Sequence, residues 1–325
     1  MNEFKIKKQY FNKKTKTRLK IYLKLIKLIL ILLGLVLLGF HFISSTNTDN
    51  TATLLTSESS ITYEDNFSYT DNIYQEIPLL KEQLAEYIKK FKGIYGIYYY
   101  NLSTHEEFGI NEEEEYVAAS TIKIPLNLYL YTKITSGEVN PKGILPYLKE
   151  DYETGTGKLQ YRKFGETYTV EELSRLSIVN SDNVAANIIF RFLGKWNVKE
   201  YMSQVGGKII NDFKNLSSPK DMALYMKLVY EFYLNDKVYG KDLMESFLNT
   251  EFNDRLPKYL PKTVQIAHKI GTQRKVINDV GIVFLEKPYI ISVMSKDINE
   301  NEASEVIANL SKKIYLSVTD REPHE

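Results

Sequence analysis

The chain has 325 residues, 43% apolar and 26% charged, an ordinary globular balance with room for one large domain or two modest ones; wholesale disorder and collagen-like repetition are excluded. With no Cys and only four His (His41, His105, His268, His324), there is no disulfide framework, thiol nucleophile or lipid-bearing Cys, and no metal or other cofactor is expected. The net charge of +1 conceals an asymmetry: residues 1–27 hold ten basic side chains against Glu3 alone, a net +9, which leaves −8 on the remainder and nothing there to suggest nucleic acid.

In chain order, residues 1–20 read as a basic cytoplasmic segment. Residues 21–43 are almost entirely apolar, with no polar side chain from 28 to 40, and a helix of that length at about 1.5 Å per residue matches a hydrocarbon core of roughly 30 Å. Lys24 and Lys27 can snorkel to the headgroups, and the basic excess upstream predicts a single-pass anchor in the cell membrane with the rest of the chain extracellular. A cleaved signal peptide is the rival reading, although the exit, Phe42-Ile43-Ser44-Ser45-Thr46, carries no A-x-A site. Residues 44–75, rich in Ser, Thr, Asn and Asp, read as a disordered linker, and 76–320 as one domain.

Within that domain, apolar residues at Leu80, Leu84, Tyr87, Ile88 and Phe91 predict a helix with Pro78 in its first turn and Gly93 just past its end. Strands over 94–100 and 106–110 follow, joined by a polar turn as a hairpin. The middle is mostly helical: Thr169 and Glu172 form a capping box, and 183–193 and 219–234 carry 3.6-period apolar faces. Strands return over 264–270, 280–285 and 289–295. A closing helix puts Val306, Ile307, Leu310 and Ile314 on one face. Strands at both ends with helices between them predict one antiparallel sheet whose first and last segments meet, and a helical lobe in the middle.

Three short motifs could carry chemistry. Ser120-Thr121-Ile122-Lys123 leads into an apolar helix, so the i, i+3 spacing sets the Lys123 amine over the same face as the Ser120 hydroxyl. A hydroxyl needs a base to become nucleophilic, and an amine serves only if burial or nearby positive charge depresses its pKa. Alone the spacing says little in a Lys-rich chain; Ser217 and Lys220 share it, and Pro219 makes that pair read as a helix start. Ser181-Asp182-Asn183 has a plain reading as a helix N-cap. In Lys269-Ile270-Gly271-Thr272, at a strand end, the Gly permits close approach of a substrate to the backbone. No G-x-S-x-G elbow is present, and Gly155-Thr156-Gly157-Lys158 is an incomplete phosphate loop.

In order and interval these three motifs resemble S-x-x-K, S-D-N and K-T-G of the class A β-lactamase family, the serine penicillin-recognising enzymes, over about residues 76–320. Tyr168-Thr169-Val170, Ser218-Pro219-Lys220-Asp221-Met222-Ala223 and Asn278-Asp279-Val280 are similar to the family's pattern as well. The resemblance implies an α+β fold of the serine β-lactamase/DD-peptidase type: an antiparallel sheet flanked by helices, with an inserted all-helical lobe. It implies a monomeric serine hydrolase, associated with antibiotic resistance, that takes a β-lactam or a D-alanyl peptide. Ser120 would attack the carbonyl, Lys123 accept its proton, and Ser181 pass a proton to the leaving nitrogen. Asn183 would hold Lys123 and the substrate amide, and Lys269 with Thr272 the substrate carboxylate. The N–H groups of Ser120 and Thr272 would bind the oxyanion, beside Gly271. Asp182 and His268 read as structural, and Arg274 as a loop charge or a second carboxylate contact.

Two departures stand out. Ile270 replaces the Thr of K-T-G. The family's E-x-x-x-N loop, whose Glu activates the deacylating water, has no counterpart in 206–216, where Asp212 is the one carboxylate. The expected function is β-lactam opening through a Ser120 acyl intermediate with slow deacylation. The alternatives are a D-alanyl-D-alanine peptidase or penicillin-binding protein, and a silent domain that binds peptidoglycan or a protein.

Overall fold

The computed structural model describes residues 69–319, with side chains from Ile77 onward. The expected cytoplasmic segment, the anchor at 21–43 and most of the tether lie outside the described residues; among the described residues no helix is long and apolar enough to cross a membrane.

Helix α1 (Tyr69–Ile88) starts ahead of the Pro78 that the sequence pattern makes its first turn, so residues 69–75, expected in the linker, are helical. Pro78 lacks an N–H and costs the helix one internal bond; the burial of Leu80, Leu84 and Ile88 behind it offsets that loss. The hairpin forms as expected from β1 (Ile94–Asn101) and β2 (Glu107–Ile110), paired antiparallel. After β3 (Tyr116–Val117) a 3₁₀ turn, Ala119–Ile122, feeds helix α2 (Lys123–Thr135). The lobe then comprises β4 (Ile144–Pro146), β5 (Thr167–Thr169), α3 (Val170–Val179), α4 (Asn183–Leu193), α5 (Lys195–Gln204), β6 (Leu216–Ser217), α6 (Pro219–Asn235) and α7 (Tyr239–Leu248). Strands β7 (Gln265–Gln273), β8 (Val276–Phe284) and β9 (Tyr289–Lys296) and helix α8 (Glu300–Thr319) complete the domain.

Local signals set the helix starts. Thr169 Oγ1 accepts the Glu172 N–H at 3.2 Å to cap α3, and Asp182 Oδ1 accepts the Ala185 N–H at 3.0 Å to cap α4. Ser218, not Ser217, caps α6, by accepting the Asp221 N–H at 3.1 Å; Ser217 is fully buried in β6 opposite Tyr116.

The five-stranded sheet has the order β2-β1-β9-β8-β7, so its first and last segments meet at β1 and β9, and β7 is an edge strand among the described residues. Strand periodicity divides the core cleanly. Tyr95, Ile97 and Tyr99 of β1 and Tyr289, Ile291 and Val293 of β9 pack with α1 and α8; Tyr98, Ile290 and Met294, one residue out of phase, pack against the lobe. By the same parity Ala267, Lys269 and Gly271 of β7 face the lobe. His268 turns the other way and meets Asp279 of β8, Nδ1 to Oδ1 at 2.9 Å. The fold is therefore the expected α+β architecture. Strand β8 starts four residues earlier than its apolar run suggests, because Asn278 and Asp279 are buried there with partners of their own.

Candidate active site

The 3₁₀ turn packs under the edge of β7. A Cβ on Gly271 would sit 2.7 Å from the Ala118 carbonyl oxygen and 3.2 Å from Thr121 Cγ2, so only Gly lets β7 close on the segment that carries Ser120. What closes on Gly271 is this turn of the chain itself, where the sequence reading expected the substrate. Asn278 ties the turn to β8, its Nδ2 donating to Val117 O at 2.9 Å and to Ala118 O at 3.2 Å.

The three motifs converge. Lys123, 3% exposed, donates from Nζ to Ser120 Oγ at 3.1 Å, to Asn183 Oδ1 at 2.9 Å and to the Ser181 carbonyl at 2.6 Å, and lies 3.4 Å from Ser181 Oγ. Lys269, fully buried, donates to Ser181 Oγ at 2.8 Å and to Ile270 O at 3.1 Å. Burial pushes the Lys123 amine down to about 7, against the pull of the Asp182 and Glu153 carboxylates. Burial also holds Lys269 well below the ordinary lysine range, helped by the positive charges of Lys123 and Arg255 and opposed by Asp279. The charge of Lys123 thus disfavours a charge on Lys269, the second amine beside the same serine hydroxyl. An amine near 7 is half neutral at neutral pH and can take a proton from Ser120.

Ala119 and Ser181 have φ of 50° and 52°, a left-handed backbone that costs a non-glycine residue about 1 kcal/mol or more. Each is held from outside its own segment. Asn215 Nδ2 donates to Ala119 O at 2.9 Å; Thr156 Oγ1 donates to Ser181 O at 2.6 Å, alongside Lys123.

The loop at Gly155-Thr156-Gly157, excluded as a phosphate loop, covers this corner. Gly157, at φ 100°, lies against Asp182, where a Cβ would come within 2.2 Å of Oδ2. Asp182 Oδ2 accepts the Lys158 and Leu159 N–H groups at 2.7 and 2.9 Å, a structural role as expected.

Thr272 and Lys269 come to the same cleft. Thr272 Oγ1 accepts from Arg255 Nη2 at 2.6 Å, and Arg255 Nη1 donates to Gly271 O at 3.0 Å and to Asn278 O at 2.6 Å. Arg255 is therefore the guanidinium behind Thr272, whereas Arg274 is exposed in the β7–β8 turn and does not line the cleft. Nothing in the sequence near Arg255 signals this role. Glu153 and Asn187, also missed, line the cleft, with Asn187 Nδ2 donating to Glu153 Oε2 at 2.8 Å. Asp212 does not line it: it is exposed in the loop after α5 and borders an adjoining cavity.

Ser120, Lys123, Ser181, Asn183 and Thr272 thus line one cavity of 540 Å³ on the lobe side of the sheet edge, with Lys269 bonded to Ser181 behind it. On this fold, a serine wired to a buried amine defines a serine hydrolase. A sequence profile of the Beta-lactamase enzyme family matches residues 79–318, and the chain belongs to that family. It is 23% identical to beta-lactamase VEB-1 of Pseudomonas aeruginosa over 68% of this chain and 85% of that one, and 25% identical to extended-spectrum beta-lactamase PER-1 of the same organism over 73% and 87%. A mutant of PBP-A, solved as an acyl-enzyme complex with penicillin G, superposes with a TM-score of 0.71 at 26% identity, over 75% of this chain and 97% of that one.

Proposed function

We propose that the protein is an extracytoplasmic hydrolase that opens β-lactams through an acyl-enzyme on Ser120 and releases the product slowly. The observation that carries this reading is the buried Lys123 amine, held near 7 and 3.1 Å from Ser120 Oγ. Ser120 attacks the lactam carbonyl and its proton passes to Lys123. As the C–N bond breaks, Ser181 gives its proton to the leaving nitrogen and is reprotonated from the two amines beside it. Because Ser181 Oγ accepts from Lys269, its own hydrogen is free to point towards the substrate. Lys269 and Thr272, the latter oriented by Arg255, bind the substrate carboxylate, and Asn183 holds the amide of the acyl side chain. Alternate N–H groups of the edge strand β7 have no strand partner, and that of Thr272 joins the Ser120 N–H as the oxyanion site.

No carboxylate of the loop 206–215 lines the Ser120 cavity, so the ester lacks a base from that side to activate water. This favours a second reading with the same chemistry, a D-alanyl-D-alanine peptidase or penicillin-binding protein, to which the likeness to PBP-A also points. A silent binding domain is disfavoured, since a buried amine with no function would cost stability for nothing. A fluorescent penicillin tests the reading: the label is expected on Ser120, mapped by peptide mass spectrometry, and absent from Ser120→Ala. Label on another residue contradicts it.

The proposed location rests on the charge asymmetry around 21–43. Protease added to intact protoplasts is expected to degrade the domain; resistance until lysis contradicts an outward-facing domain.

A further inference from the structure

Ile122, Asn187, Phe190 and Asn215 line the Ser120 cavity and also a second one of 200 Å³, so the cleft continues past Asn183. The second cavity is bordered by Lys195, Lys199 and Lys214, with Asp212 its single carboxylate, an excess of two positive charges. Lys195 and Lys199 stand at i and i+4 on α5 and so share a face. Lys199 is half-buried, and its Nζ donates to Lys214 O at 3.2 Å, which ties the loop to the helix. Elsewhere in the domain Lys133, Lys142, Lys220, Lys258 and Lys296 each pair with a glutamate. Among the described residues none of the three lysines around this cavity has a carboxylate at ion-pair distance.

We propose that this second cavity is an anion subsite of the active site, taking a carboxylate carried on the acyl side of the substrate. The proposal rests on the Ser120 reading. The substrate's other carboxylate is bound at Lys269 and Thr272 on β7, while Asn183 takes the acyl amide. Asn187 lies one turn further along α4 on the same face. A side chain that passes Asn183 therefore reaches Asn187, which borders both cavities. Glu153, which lines the first cavity, accepts from Asn187 Nδ2 and keeps its charge, so the positive excess lies at the far end, where Asp212 acts on Lys199 alone among the three lysines. Partly exposed charges of this kind are screened by salt, so the subsite acts most strongly at low ionic strength.

The test compares second-order acylation rates for benzylpenicillin and its α-carboxy analogue, with a pair of D-alanyl-D-alanine peptides bearing Glu or Gln in the acyl part as competitors. At low salt the carboxylated member of at least one pair is expected to react about fivefold faster, and the ratio to fall towards one in about 0.5 M salt. Lys195→Gln/Lys214→Gln, which changes only exposed side chains, is expected to bring the ratio close to one. The pair that shows the preference identifies a lactam or a peptide as the source of the carboxylate. Equal rates in both pairs, or a preference that survives the double substitution, overturn the subsite while leaving the Ser120 reading intact. Acylation by no compound overturns both.

Discussion

Around Ser120, on the side built from the 3₁₀ turn, the start of α4 and β7, Lys123 is 3% exposed and Lys269 is fully buried, and each is bonded to another segment of the chain. On the side of the loop 206–215, Asp212 is open to solvent and Phe213 is 98% exposed; Asn215 alone reaches the turn. The contrast follows from what each half of an acyl-transfer cycle requires. Acylation needs an amine stripped of water, since desolvation is what brings Lys123 down to about 7, and only a folded core supplies that. Deacylation needs a carboxylate poised over the ester, which a loop could supply and this one does not.

The largest effect is expected from the buried side. Lys123→Ala should slow acylation by about 10² to 10⁴-fold, the usual worth of a positioned base. In the parent protein the acylation rate should rise through pH 7 as Lys123 loses its proton, because the base works in its neutral form; stopped-flow with a chromogenic lactam reads both. An acylation rate flat from pH 6 to 8 would move the base elsewhere. Next comes Arg255→Met, which removes the guanidinium donor to the buried Gly271 and Asn278 carbonyls and to Thr272 Oγ1. A loss of about 2–4 kcal/mol is expected in denaturant melts, with weaker capture of carboxylate-bearing lactams. Gly271→Ala forces a Cβ against the Ala118 carbonyl and should cost about 1–3 kcal/mol and slow acylation. The smallest effect belongs to the open side. Asp212→Asn should change the decay of the acyl-enzyme by less than about twofold, well short of the worth of a general base. A tenfold slowing would show that the loop folds over Ser120 and would erase the contrast.

What the sequence disclosed were the features encoded within one turn of helix or one strand. Asp182 ahead of an apolar run is a cap wherever it occurs, and α4 runs over 183–193 as its periodicity requires. The parity that sends Lys269 to the lobe and His268 to Asp279 can be read along β7 itself. Features that depend on partners far along the chain were hidden. Asn278 and Asp279 look like the edge of a loop, yet they are buried inside β8 because Val117, Ala118, His268 and Leu256 supply their partners. Arg255 shows no local pattern, since its three acceptors lie on β7 and β8. Pro78 marks a helix start by propensity, but α1 runs through it. In the candidate site the motifs named Ser120, Lys123, Ser181, Asn183, Lys269, Gly271 and Thr272. They could not show that the amines are buried, nor that Asp212 stands outside the cleft.

The most direct measurement is a mass-spectrometric and spectrophotometric time course with benzylpenicillin at a few equivalents of protein. The account predicts a burst of opened lactam equal to the protein concentration, an intact-mass increase of one penicillin on nearly all molecules, and a slow steady state after it. Fast steady-state hydrolysis with no accumulating adduct would contradict it, and would mean that a base for deacylation reaches the ester in spite of the open loop.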